Sequence, residues 1–272
     1  MTTEKLKILV AVHKAGDVIN DEIYTPIHVG KANTSVDLGW MGDDTGDNIS
    51  KKNPNYCELT AVYWAWKNLK DADYIGLCHY RRFLDLTANP KYRINTFVRA
   101  EELQKHTDID FSLLRRYDAI VSLPLVGILS LKDSYCLSHI SEDYDALDAA
   151  VKKLYPEYYP DFVKVMDYNN QYSFGNIMVA RKEVFDNYAK WLFDVLFEVE
   201  KNVKISAYPY QSRVFGFMSE RLMNVYLYHN KLNVLRRPVL SIADSENISA
   251  FRDFCNRMVR NIVFRVNNYI LK

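Results

Sequence analysis

"DADYIGLCHYRRFLDL", residues 71 to 86, is an apolar run that stops abruptly in His79, Tyr80, Arg81 and Arg82. A short continuous run without polar alternation is what a strand buried on both faces of a mostly parallel sheet requires. Such sheets take their ligands just beyond the carboxyl ends of their strands. The imidazole and two guanidinium groups therefore stand where a ligand is expected.

Working outward, "KILVAV" (7 to 12) is a second run of this kind, halted by the polar His13-Lys14-Ala15-Gly16. "YDAIVSLPL" (117 to 125), "NIMVA" (176 to 180) and "LNVLRRPVLSI" (232 to 242) supply further strands. Between them lie helical patterns. Leu59, Val62, Tyr63 and Trp66 recur at helical spacing, and Val184, Tyr188, Trp191, Leu192, Val195, Leu196 and Val199 form one apolar stripe. A further helix is expected from about Ser219, which reads as its N-cap. Strands alternating with helices predict an α/β layered domain, with a glycine- and aspartate-rich loop region over residues 30 to 55. The expected organisation is one domain over 1–245 and a C-terminal basic amphipathic helix over 246–272.

Composition narrows the function. The chain has 272 residues, 35 Lys plus Arg and 34 Asp plus Glu, for a net charge of +1. That balance gives no global field to recruit nucleic acid, so any basic function is local. Twenty tyrosines suit a sugar-binding cleft, though tyrosine is also ordinary core and surface material. The four cysteines form no C-x-x-C pair, which fits a reduced, cytoplasmic setting. The apolar run near the N-terminus is too short for a signal-peptide core, and no window has the roughly 18 apolar residues of a membrane span. In the last 22 residues Phe251, Phe254, Met258, Ile262 and Val266 alternate with Arg252, Arg257, Arg260 and Arg265. This segment reads either as a peripheral membrane contact or as a helix packed on the domain or on a dimer partner.

Several constellations carry chemistry. Two adjacent arginines beside Lys14 suit the charge that develops on a diphosphate leaving group; the plainer alternative pairs Arg81 and Arg82 with Asp85, Asp71 or Asp73. His79 alone is a weaker signal, since strand-end histidines are commonly structural. In "GDDTGDNIS" (42 to 50), Asp43, Asp44, Asp47 and Asn48 can hold a ribose, a metal or merely a turn, and the spacing is not that of an EF-hand. Neither a dinucleotide fingerprint nor a P-loop is present. Glu220, in the first turn of the helix expected from Ser219, has the setting of an ionised general base for a sugar hydroxyl, or of a common helix-start glutamate. Tyr210 and Arg213 precede it and can hold an acceptor. Phe174-Gly175 ahead of Asn176 lets backbone and amide approach a ligand closely.

The ordered blocks "KILVAVHK", "GDDTGDNISKKNPNYCELTAVYWAWKN", "YIGLCHYRRFL", "YDAIVSLP", "NIMVARKEVFDNYAKWLFDVLFEVE" and "RVFGFMSERLMNVYL" resemble a bacterial family catalogued as a domain of unknown function. The family occurs among capsular and exopolysaccharide glycosyltransferases, and some members are described as galactofuranosyltransferases. The resemblance runs from about residue 6 to 242, and its most specific parts are N-x-x-Y-C-E-L-T and H-Y-R-R. It implies a GT-A type fold, a mixed, mostly parallel central sheet flanked by helices. It also implies a UDP-sugar donor and a growing, lipid-linked saccharide acceptor at the inner face of the cell membrane. The Asp-x-Asp metal motif usual in GT-A enzymes is replaced by Cys78-His79-Tyr80-Arg81. Either the arginines stand in for the cation, or His79 and a loop aspartate hold Mn²⁺ or Mg²⁺. The expected donor site comprises His13, Lys14, Asp44, Asp47, Asn48, His79, Arg81, Arg82 and Asn176, and the expected acceptor site Phe174, Tyr210 and Arg213. Glu220 becomes the base of an inverting displacement. Two other readings stay open: a non-catalytic saccharide-binding or scaffold subunit, and a phosphoryl or nucleotidyl transferase.

Overall fold

Runs of β-branched and apolar residues become strands wherever both faces can be covered, and the computed structural model, which describes residues 4–16, 18–103, 108–243 and 249–270, shows where they do. The first part of the chain gives β1 (Leu6–Val12), β2 (Tyr24–His28), β3 (Met41–Gly42), α1 (Asn53–Tyr56), α2 (Leu59–Asn68), β4 (Tyr74–His79), β5 (Arg82–Leu84) and β6 (Thr96–Val98). Next come α3 (Ala100–Leu103), α4 (Phe111–Arg116), β7 (Ala119–Ser122), β8 (Leu125–Val126), α5 (Leu131–Ser138), α6 (Ser141–Leu154) and α7 (Tyr159–Tyr168). The last part holds β9 (Gln171–Tyr172), β10 (Met178–Arg181), α8 (Lys182–Glu200), α9 (Val214–His229), β11 (Val234–Arg237), β12 (Val239–Ile242) and α10 (Ala250–Arg265).

The chain divides into two units. The first comprises Met1–Leu123, Asn176–Lys190 and Asn233–Asn247. Its sheet runs in the order β11-β7-β10-β4-β1-β2-β3, with β5 joined to β4, and β12 pairing β5 and β6. The pairs β1–β2, β1–β4, β2–β3, β7–β11 and β6–β12 are parallel, whereas β10 runs antiparallel to both β4 and β7. The sheet is mixed and mostly parallel, as expected. Val10, Val12, Ile27, Ile75 and Ile120 are fully buried, because the strands are covered on both faces. One cover is α2, which packs against β1 and β4 and buries Leu59, Val62 and Ala65. The helix expected over 56–70 is interrupted at Cys57, whose φ of 52° lies in the left-handed region.

The second unit comprises Pro124–Gly175, Trp191–Leu232 and Ile248–Lys272. It is helical, with the short antiparallel ladder β8–β9. α7 packs against α5 and α9, burying Phe162, Met166, Phe215, Met218 and Leu222. The expected helix start at Ser219 is corrected here. α9 begins at Val214, since burial of Val214, Phe215 and Met218 outweighs the roughly 1 kcal/mol that Gly216 costs a helix. The Ser219 hydroxyl caps nothing and donates to the Gly216 carbonyl at 2.8 Å. Glu220 therefore lies in the second turn, beyond the range over which a helix N-terminus stabilises a carboxylate.

The C-terminal helix forms as expected. Ser249 caps α10 by accepting from the Arg252 N–H, and a π-helical turn follows at Val266–Ile270. Residues 246–248 and 271–272 of the expected segment lie outside the described residues. Among the described residues no helix is long and apolar enough to cross a membrane.

Candidate functional site

In the first unit, the parallel register of β1 and β4 sets Ala11 opposite His79, so the segments leaving both strands start side by side. The Tyr80 N–H donates to the Ala11 carbonyl at 3.2 Å. Around the Tyr80 ring gather the His13 ring, edge-on at 5.3 Å, the Lys14 ammonium at 5.7 Å and the Arg81 guanidinium at 5.6 Å. A ring face attracts cations, which favours two positive charges beside the same ring. Lys14, Arg81 and Arg82 have no carboxylate partner among the described residues. The acids that could have neutralised the arginines are engaged elsewhere. Asp71 binds the Lys5 ammonium at 2.6 Å, Asp73 accepts the Lys5 N–H at 2.8 Å, and buried Asp85 accepts from the Thr87 hydroxyl at 2.6 Å. His79 is half-buried at the end of β4, and Arg82, exposed on β5, pairs with it through the backbone ladder. The sequence reading missed Tyr80 as the ring that organises the cluster.

The aspartate-rich loop is knit by its own side chains. Buried Asp43 accepts the Gly30 and Lys31 N–H groups at 2.9 and 3.1 Å, and also the Ser50 hydroxyl. The Asn48 amide donates to the Asp44 and Gly46 carbonyls. Asp47 accepts the Tyr63 hydroxyl at 3.1 Å; burial, and then this bond, push that hydroxyl's pKa up to about 12. Asp44 stays exposed. Among the described residues no three His, Cys, Asp or Glu side chains converge where an ion could sit.

Asn176, two residues ahead of β10, is buried with φ 52°, next to Gly175 at φ 74°. Asparagine tolerates this left-handed conformation better than most residues. Its amide donates to Glu58 Oε1 at 2.7 Å, while its Oδ1 is buried with no protein partner. That lone acceptor suits a ligand hydroxyl. Glu58 was missed, although it lies within the N-x-x-Y-C-E-L-T block.

In the second unit, Glu220 Oε1 accepts the Gly175 N–H at 3.0 Å, and Oε2 lies 3.7 Å from Arg221 Nη1. Asn224, one turn on, holds both backbone groups of Ser173, at 2.9 and 3.0 Å. Glu220 and Asn224 thus fix the segment that carries Phe174. Buried Arg221 lies over the rings of Tyr172 and Tyr135, at 4.9 and 5.4 Å. Tyr210 and Arg213 meet at Phe217, whose ring is 5.1 Å from Tyr210 and 5.4 Å from the Arg213 guanidinium. His139 stacks on Phe217 at 4.1 Å and bonds Gln211. Burial lowers the His139 pKa, and the Arg221 charge adds to this against the Gln211 bond. The neutral imidazole is therefore favoured. Tyr210 remains 48% exposed, giving a platform against which the apolar face of a sugar ring can stack. Neither His139 nor Phe217 carried a signal in the sequence. The structure thus brings the expected donor residues His13, Lys14 and Arg81 together in one unit, and the expected acceptor residues Tyr210 and Arg213 together in the other.

A family model described as "Domain of unknown function (DUF4422)" matches residues 7–231. No curated protein matches the chain. Among solved structures, the WbbM bifunctional glycosyltransferase in its apo form is similar, with a TM-score of 0.82 and 32% identity over 91% of this chain. The chain spans about half of that protein's length, 48%. This likeness, with the mixed sheet flanked by helices, makes the fold GT-A type.

Proposed function

Since the chain belongs to the DUF4422 family, matching its model over residues 7–231, we propose that it is a glycosyltransferase, moving a sugar from a UDP-sugar to a saccharide acceptor in the synthesis of a surface polysaccharide. The observation that carries this reading is the Tyr80 cluster, where Lys14 and Arg81 stand at strand ends without carboxylate partners among the described residues. Cations gathered at one ring and lacking a carboxylate partner among the described residues suit a diphosphate, and Arg81 adds planar, bidentate donors. The similarity to a bifunctional glycosyltransferase supports the same reaction class.

In the proposed step an acceptor hydroxyl oxygen forms a bond to the anomeric carbon as the bond from that carbon to the diphosphate oxygen breaks. The electron pair of the broken bond leaves on UDP, whose charge Lys14 and Arg81 neutralise, with Arg82 close by in the chain. The hydroxyl proton passes to the Glu220 carboxylate, and the configuration inverts. Tyr210, Arg213 and Phe174 hold the acceptor. Asn176 takes a donor hydroxyl with its buried Oδ1. His13, His79, Asp44, Asp47 and Asn48 complete the donor contacts. Galactofuranose is the first donor sugar to offer, on the resemblance carried by the N-x-x-Y-C-E-L-T and H-Y-R-R blocks.

Calorimetric titration with UDP, with and without Mn²⁺, and transfer assays on Glu220→Gln test the reading together. Metal-independent UDP binding is expected, together with a variant that binds UDP normally and transfers about 10²- to 10⁴-fold more slowly. Full turnover by Glu220→Gln would remove Glu220 as the base. Absence of UDP binding in either condition would leave a non-catalytic saccharide-binding role.

A further inference from the structure

An amphipathic helix on the surface of a globular protein ordinarily turns its apolar stripe inward. α10 does the reverse. It is tied to its own unit through polar groups: Arg260 Nη1 donates to the Val126 carbonyl at 3.0 Å, and Asn261 Oδ1 accepts from the Asn170 amide at 2.8 Å. Only Phe264, on that same side, is buried. Phe251, Phe254, Met258, Val259 and Ile262 are 77%, 58%, 49%, 59% and 57% exposed. At 100° per residue these five fall within an arc of about 140° on the opposite side. A contiguous apolar face held outward by a polar anchor is built to meet an apolar phase.

Charge selects the occupant. The helix carries Arg252, Arg257, Arg260 and Arg265 against Asp253. Asp253 is taken by Arg257 at 2.7 Å, whereas Arg252 and Arg265, exposed at opposite ends of the helix, have no carboxylate partner among the described residues. Arginines at both ends of the stripe, without a carboxylate partner among the described residues, repel a second copy of the same face and attract lipid phosphate. We propose that α10 lies in the surface of an anionic lipid bilayer, with its apolar face at the acyl boundary and Arg252 and Arg265 on the headgroups. This surface is independent of the proposed reaction.

The test is sedimentation of the 272-residue chain with vesicles of mixed phosphatidylglycerol and phosphatidylcholine, and with phosphatidylcholine vesicles alone. Binding to the mixed vesicles that weakens with salt is expected, as is its loss when Phe251→Ser, Phe254→Ser and Ile262→Ser are combined. Arg252→Gln with Arg265→Gln is expected to weaken binding roughly thirtyfold. All five side chains are exposed, so far-ultraviolet circular dichroism should be unchanged. No vesicle binding, or equal binding by the serine variant, overturns the proposal. So does equal binding to both vesicle types. A dimer in sedimentation velocity that the serine variant abolishes, without vesicle binding, assigns the face to a second copy instead.

Discussion

Arg81 keeps a permanent charge beside the Tyr80 ring, with no carboxylate partner among the described residues, so its value rests on what it can bind. Arg81→Ala is expected to weaken UDP binding by about 1.5 to 3 kcal/mol, the scale of a charge-assisted contact and roughly a 10- to 100-fold rise in Kd. The melting temperature should hold, because the side chain is exposed. An affinity within threefold of the parent would take Arg81 out of the donor site. Its position was legible because an apolar run ending in charge needs no tertiary knowledge to read. The role of Tyr80 was not, since nothing in one segment tells which cations another strand will bring to a ring. Nor was the anchoring of Glu220, whose partner Gly175 lies 45 residues away.

Among the elements, β4 shows how closely the sheet is packed. A Cβ added at Gly76 would come 2.8 Å from Val179 Cγ2 and 3.1 Å from the Met178 carbonyl. Both belong to β10, and valine in a strand has little rotamer freedom with which to retreat. Gly76→Ala is expected to cost about 1 to 3 kcal/mol, measured by urea unfolding, as overpacked cores do. Unchanged stability would mean that β10 can shift away from β4. Strand existence was legible from apolar runs, but strand direction was not. "NIMVA" reads alike in either sense, and β10 is antiparallel to both neighbours. The two-residue strands β3, β8 and β9 are too short to carry a period. The start of α9 was misread because Gly216 between two phenylalanines looks like a loop, and only burial shows otherwise.

At the scale of the whole molecule, pH acts through Asp143, whose carboxyl burial, with some help from Glu142, pushes its pKa up to about 6. An unfolded chain releases that proton near pH 4. Between about pH 4 and 6 the folded state holds the proton more tightly, so this contribution to stability is full below pH 4 and is lost as pH rises to 6. The loss is at most about 3 kcal/mol. Asp143→Asn should flatten that slope in urea midpoints taken across the range; equal slopes would reject the assignment. Glu198, held down at about 2 mainly by its bonds to Lys153 and Lys201, works in the opposite sense, weakening the fold as pH falls below the usual carboxylate range. The sheet order also sets a schedule. β7 finds its parallel partner β11 about 115 residues further along, so at roughly 5 to 20 residues per second a nascent chain carries an open strand edge for about 6 to 23 seconds. Synthesis rate therefore sets how long that edge stays open to wrong pairing, and whatever shields it must act within the wait.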